Sequence, residues 1–192
     1  NIRDVAKVLV GMGVIPSGAE SQIPSVNVSR TGYAEGDLTD YGAESMKADW
    51  GIYYRPFEND LEFSYVGKYG SGSTIYQGAN RYYIDNFYLT QHKLEVKSDR
   101  FFLRGYVTED NAGDSYDMIF TGININRAAK DDQTWFGEYV GAYLQGTLGG
   151  LTDAQAHVAA RTAADGDSAG GSARFEPGSQ EFQDAFNKSI ND

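Results

Sequence analysis

Residues 46–56 read Met46-Lys47-Ala48-Asp49-Trp50-Gly51-Ile52-Tyr53-Tyr54-Arg55-Pro56, and their alternation decides the fold class. Even positions Met46, Ala48, Trp50, Ile52 and Tyr54 are apolar or aromatic, whereas the odd ones include Lys47, Asp49, Gly51 and Arg55. Successive side chains of an extended chain point to opposite faces, so a period of two predicts a strand with one oily and one wet face.

The same period continues downstream. After the turn Glu58-Asn59-Asp60, the apolar set Leu61, Phe63, Tyr65 and Tyr69 alternates with Glu62, Ser64 and Lys68, which predicts a tight hairpin. A Gly/Ser-rich loop, Gly70-Ser71-Gly72-Ser73-Thr74, is expected next. Residues 81–97 form a third strand, with Tyr88, Leu94 and Val96 opposed to Gln91, Lys93, Glu95 and Lys97. A turn at Ser98-Asp99 leads to a fourth, in which Phe101, Leu103 and Val107 oppose Arg104 and Thr108. Residues 118–126 are expected as a fifth, with Ile119, Ile123 and Ile125 opposite Asn124 and Asn126.

The links at 58–60 and 98–99 are short, whereas those at 70–80 and 110–116 are long. Bacterial outer-membrane barrels have short periplasmic turns and long outside loops, and a tilted membrane strand needs about 9–11 residues. Tyr53, Tyr54, Phe57, Tyr65, Tyr69, Tyr82 and Tyr83 supply material for an interfacial aromatic girdle. A soluble sandwich imposes the same alternation, because burial against a second sheet also has period two. A barrel needs about eight strands and five are visible, so this chain does not close one alone.

Outside the strands, residues 1–45 open with Ile2, Val5, Ala6, Val8 and Leu9 at helical spacing. They then break at Gly11, Gly13, Pro16, Gly18 and Pro24, predicting a short helix and a long loop. Residues 128–192 read as helical or loop-like: Trp135, Phe136, Tyr139, Val140, Tyr143 and Leu144, then an alanine-rich run, then Phe182, Ala185, Phe186 and Ile190 at helical spacing. The chain thus divides into 1–45, 46–127 and 128–192.

The 192 residues are 41% hydrophobic and 14% aromatic with 23 glycines, too aromatic for disorder and too glycine-rich for a helix bundle. Sixteen basic against 27 acidic residues give a net charge of −11, which repels phosphate backbones and makes nucleic acid a poor partner. With no cysteine there are no disulfides, thiolate metal sites or cysteine nucleophiles. No apolar run reaches the roughly 18 residues of a spanning helix, so any membrane insertion would be by strands. The sequence opens at Asn1 without Met or secretion signal, which is expected of a chain whose signal peptide was removed or of an internal piece.

Motifs for chemistry are weak. His92 and His157 lack zinc-protease spacing. Gly166-Asp167-Ser168-Ala169-Gly170-Gly171 contains Gly-x-Ser-x-Gly, but a nucleophile elbow needs a strand before the serine and a helix after it; the flanks here are loop-forming. Gly70-Ser71-Gly72 is neither a P-loop nor a dinucleotide fingerprint. Asp110, Asp114 and Asp117 are oxygen ligands of calcium type without EF-hand order. No enzyme, metal or cofactor is expected. The binding candidates are Tyr76, Gln77, Asn80, Arg81, Asp114 and Tyr116, a loop-borne set that combines stacking faces with hydrogen-bonding groups.

Several strings in one order also carry a family resemblance. They are Val28-Ser29-Arg30-Thr31-Gly32-Tyr33 with Glu35, Asp37-Leu38 and Asp40-Tyr41; Tyr54-Arg55-Pro56-Phe57-Glu58-Asn59-Asp60-Leu61-Glu62; and Thr74-Ile75-Tyr76-Gln77-Gly78-Ala79-Asn80-Arg81-Tyr82. Gln91-His92-Lys93-Leu94-Glu95, Phe101-Phe102-Leu103-Arg104, Asn111-Ala112-Gly113-Asp114-Ser115-Tyr116-Asp117 and Trp135-Phe136-Gly137-Glu138-Tyr139 follow, then Pro177-Gly178-Ser179 with Glu181-Phe182 and Ala185-Phe186. Together they resemble the TonB-dependent outer-membrane receptors of Bacteroidetes type over nearly the whole chain.

The resemblance implies a mainly β fold: an antiparallel meander forming part of a transmembrane β-barrel, with helical extracellular loops in 128–192. Such receptors have about 22 strands around a plug and take up metal chelates, oligosaccharides or peptides. The implied partners are the remainder of the barrel and its plug, the TonB complex through that plug, a surface lipoprotein and outer-membrane lipid. The plug, the TonB box, most of the barrel and the aromatic-ended final strand are missing from this sequence. The alternative is a soluble β-rich module binding a glycan-type ligand; a hydrolase using Ser168 is a third class.

Overall fold

The structure, a computed structural model, describes residues 1–58 and 60–191, so Asn59 of the expected first turn and Asp192 lie outside the described residues. The chain forms an open antiparallel sheet and a set of helices, 38% helix against 31% strand, so the expected mainly β fold is instead mixed α/β, the helices of both chain ends outweighing the central strands. It divides into two compact units: Asn1–Asp37 with Phe120–Asp192, and Leu38–Ile119.

In the first unit, α1 (Ile2–Gly11) is capped by the Asn1 side chain, which accepts from Arg3 N, and buries Ile2, Ala6 and Leu9. A 3-10 turn follows at Ala19–Gln22, and α2 (Glu35–Leu38) is a single turn. α3 (Met118–Ala129) precedes α4 (Asp132–Leu148), whose first turn is capped by Asp131 accepting from Thr134 N. α5 (Asp153–Asp165) starts in a capping box between Thr152 and Gln155, which satisfies two otherwise orphaned amide donors. α6 is Gln180–Asn191.

The core of this unit joins Ile2, Ala6, Leu9 and Ile23 to Trp135, Tyr139, Val140, Tyr143 and Leu144 of α4 and to Ala156, Ala160 and Ala164 of α5. Trp135, Tyr139 and Tyr143 recur every four residues, as do the three alanines, so large side chains on one helix meet small ones on the other. Every residue from Ser29 to Tyr33 in the extended segment is tied to this unit. Arg30 donates to the carbonyls of Lys130 and Asn126 and to Asp132, Thr31 to Asp165, and Tyr33 to the carbonyl of Phe175; the carbonyls of Ser29 and Gly32 accept from Arg161 and Arg174.

In the second unit the strands are β1 (Glu44–Tyr54), β2 (Glu62–Gln77), β3 (Arg81–Lys97) and β4 (Phe102–Asn111), hydrogen-bonded in that order, with a short β5 (Tyr116–Asp117) on β3. The third strand has the expected bounds. The expected Gly/Ser loop is instead part of β2: Gly70, Ser71 and Gly72 pair with both β1 and β3, with an irregularity between Gly72 and Thr74. Glycine is required at Gly72, where a Cβ would lie 2.5 Å from the Glu44 carbonyl oxygen. The link expected as long at 70–80 is therefore the short turn 78–80, residues 112–115 join β4 to β5, and β2 and β3 run past their neighbours as one hairpin.

The fifth strand expected at 118–126 is α3. Its buried residues Met118, Thr121, Ile125 and Ala129 follow a helical repeat, while Ile119 and Ile123, which suggested alternation, are exposed four residues apart. Burial periodicity overrode the β preference of the isoleucines.

Candidate functional site

Strand register decides what the sheet presents. Residues directly opposite in an antiparallel pair share a face, so the pairings assemble cross-strand rows: Tyr54–Phe63–Val96–Leu103, Ile52–Tyr65–Leu94–Gly105 and Trp50–Gly67–His92–Val107. The apolar alternation of all four strands falls on one face. That face is uncovered within the sheet unit, with Ile52 64%, Leu94 66% and Leu103 71% exposed. Ile52, Tyr54, Phe63, Leu94, Val96 and Leu103 line a shallow depression of about 430 Å³ on it, where Gly105 leaves space.

The opposite face carries most of the charges, with Phe102 and Tyr106 exposed among them. Arg55 pairs with Glu62 at 2.7 Å, Arg104 with Glu95, and Lys93 and Lys97 stand 4.0 Å from Glu95 and Glu62. Gln91 donates to Thr108. At the end with the two tight turns, Tyr53, Tyr54, Phe57, Phe101 and Phe102 are exposed. Asp60 joins those turns by accepting from Asp99 N and Ser98 Oγ, and these bonds hold its carboxyl below the usual range.

The six binding candidates separate into two groups. Tyr76, Gln77, Asn80 and Arg81 come together at the tip of the β2–β3 hairpin: Tyr76 packs against Tyr82 at 6.2 Å, and Arg81 donates to Gln77 Oε1 at 3.1 Å. Asn80 donates to Asp117 at 2.6 Å, so it fixes the tip to β5. Asp114 accepts from Asn86 Nδ2, and Tyr116 donates to the Leu38 carbonyl and packs on Tyr83; these two brace the loop before β5. Gly113 is obligatory there, because its φ is +63° and a Cβ would lie 2.1 Å from the Asp85 carbonyl oxygen.

His92 lies on the apolar face, its Nδ1 2.8 Å from the Tyr65 hydroxyl, with Trp50 edge-on to its ring. Sequence alone offered no sign of this cluster, since its members become neighbours only through register. His157 Nδ1 lies 2.8 Å from the Tyr139 hydroxyl in the helical unit. Among the described residues no group of three or more His, Asp or Glu is placed to hold a metal ion, Asp110, Asp114 and Asp117 included. Ser168 closes its own turn: its Oγ accepts from Gly170 N, and its amide donates to the Gly171 carbonyl. No helix among the described residues is long and apolar enough to cross a membrane. No protein-family model, curated protein or solved structure matches this chain.

Proposed function

We propose that this chain is a segment of a TonB-dependent outer-membrane receptor for nutrient uptake, contributing β1–β4 as early barrel strands whose apolar face meets lipid and whose charged face lines the lumen. The observation that carries the reading is the uncovered apolar face that register assembles from four strands between the Tyr54 and Trp50 rows, on a sheet whose outer strands β1 and β4 each pair on one side. The four strands are apolar together from the Tyr54 row to the Trp50 row, and β1, with Tyr69 and Tyr88 on the neighbouring strands, carries the apolar side on to Met46, about 27 Å along the strand at about 3.4 Å per residue; Ser71, Thr90, Glu109 and Asn111 share that side beyond the Trp50 row.

In this reading the β2–β3 hairpin, with Tyr76, Gln77, Asn80 and Arg81 at its tip, and the helical unit belong to the outside of the cell and take part in substrate capture. The chain performs no catalytic step. It works with the rest of the barrel and its plug, through which the TonB complex supplies energy, and with a surface lipoprotein that delivers substrate.

The test places the chain in phospholipid vesicles, with Trp135→Phe leaving Trp50 as the reporting indole, and replaces the acyl chains with brominated ones. Strong quenching of Trp50, together with aggregation when lipid and detergent are withheld, is the expected result. A monodisperse chain that unfolds in one step in plain buffer, with Trp50 unquenched, would replace this reading with the soluble binding module.

A further inference from the structure

Within the helical unit, the extended segment 26–31 and the outer side of α5 enclose an open groove of about 640 Å³, in the size range of small-molecule sites. Arg161 lines it and is held in place: Nη1 donates to the Ser29 carbonyl and to Thr31 Oγ1, both at 3.0 Å, and the guanidinium lies 5.9 Å from the centre of the Trp135 ring. The Nε–Nη2 edge of Arg161 makes no hydrogen bond among the described residues. That edge is a planar two-donor fork, the shape that matches two carboxylate oxygens.

The other lining residues narrow the ligand. Both oxygens of Asp165, the carboxylate in the groove, are occupied, by Trp135 Nε1 and by Thr31 Oγ1. His157 Nδ1 lies 2.8 Å from the Tyr139 hydroxyl, and the tautomer in which that hydroxyl donates to Nδ1 carries the ring proton on Nε2. Nε2 stands 3.7 Å from Asp153, beyond hydrogen-bond reach, so it remains a donor for a ligand. Val28 and Val158 supply carbon surface on the same groove. The chain's charge of −11 disfavours multiply charged anions.

The geometry points to a binding site for a singly charged carboxylate with a short apolar chain, its carboxylate on the Nε–Nη2 edge of Arg161 and its carbons against Val28 and Val158. This site lies wholly in the helical unit and does not depend on whether the sheet meets lipid. A free short-chain acid and the C-terminal residue of a peptide present the same chemistry.

The test follows the His157 ring resonances of the full chain by NMR during titration with isovalerate, isovaleramide and N-acetyl-Ala-Val. Saturable shifts in about the millimolar range with isovalerate and none with the neutral amide are expected; tighter binding of the dipeptide would mark a peptide C-terminus as the source. Val158→Trp fills the groove from an exposed position and leaves the Arg161 bonds intact; it should weaken binding at least tenfold, and Arg161→Lys should do the same. Equal shifts from acid and amide, shifts that never saturate, or unchanged affinity in Val158→Trp with native near-ultraviolet dichroism would each overturn the assignment.

Discussion

The indole of Trp50 lies directly over Gly67 on the neighbouring strand, so close that a Cβ added to that glycine would stand 2.2 Å from Cε2 of the ring. The two are Cα partners in the β1–β2 register, and the ring shields a backbone that has no side chain of its own. Gly67→Val is expected to push the indole off the sheet and destabilise the β1–β2 pair by about 1–3 kcal/mol. A red shift of Trp50 emission in a Trp135→Phe background, with a lower unfolding midpoint, is the readout; an unshifted emission maximum would contradict the placement.

The two faces of the sheet respond differently to charge. Ile52→Arg and Leu94→Arg put a cation on the apolar face, whereas Gln91→Arg adds one to the face that already carries Lys68 and Lys93. In the complete receptor, the first two should each cost about 2–4 kcal/mol of membrane stability near the bilayer midplane, and the third should stay within about 1 kcal/mol. Urea unfolding in vesicles measures the difference, and equal penalties on the two faces would show that neither face meets lipid.

Lys130 is a buried cation with all its donors placed: Nζ reaches Glu138 at 2.6 Å and the carbonyls of Ala164 and Gly166 at 3.0 and 2.7 Å. Glu138→Gln should destabilise the helical unit by about 2–3 kcal/mol, below the full cost of breaking a buried pair because the Glu138 side chain is one-quarter exposed. The double variant Lys130→Met with Glu138→Leu should recover part of the loss. Denaturant midpoints followed by helical dichroism test this; a double variant no more stable than Glu138→Gln would mean the ammonium serves mainly the two carbonyls.

Burial, with the hydrogen bond to Asp153, pushes the Tyr143 phenol up to about 12. In the unfolded chain it ionises near its ordinary value of about 10, so the unfolded state gives up the proton first. The stabilisation is complete below about pH 10 and declines as pH rises toward about 12. Tyr143→Phe should make the alkaline limb of stability shallower while leaving the slope near neutral pH unchanged. Thermal melts between pH 8 and about 12 supply the comparison, and a limb of identical steepness would remove Tyr143 as a contributor.

Much of the sheet was legible because alternation is local. β3 emerged with the bounds the sequence predicts, and β1 was displaced by two residues. The glycines and serines of 70–74 misled, because small residues mark loops by composition, yet here they permit close approach of β1. Residues 118–126 misled for the opposite reason, since clustered isoleucines favour strands in isolation while their burial followed a helical repeat. Of the binding candidates, Tyr76, Gln77, Asn80 and Arg81 were found together at one hairpin tip, whereas Asp114 and Tyr116 brace a loop through partners that no spacing reveals.

The sequence alone determined that residues 46–56 carry an oily face and a wet face, that stretches with helical spacing recur after residue 128, and that no thiol chemistry exists here. All three follow from residue identity and near-neighbour spacing. Only the tertiary structure decided that four oily faces coincide, that Trp50, Tyr65 and His92 become neighbours, and that Arg161 is held against Ser29 and Thr31 from far along the chain. Pairing register and long-range hydrogen bonds are properties of strands and helices already brought together, and a one-residue slip in pairing would turn every apolar side chain of a strand to the other side.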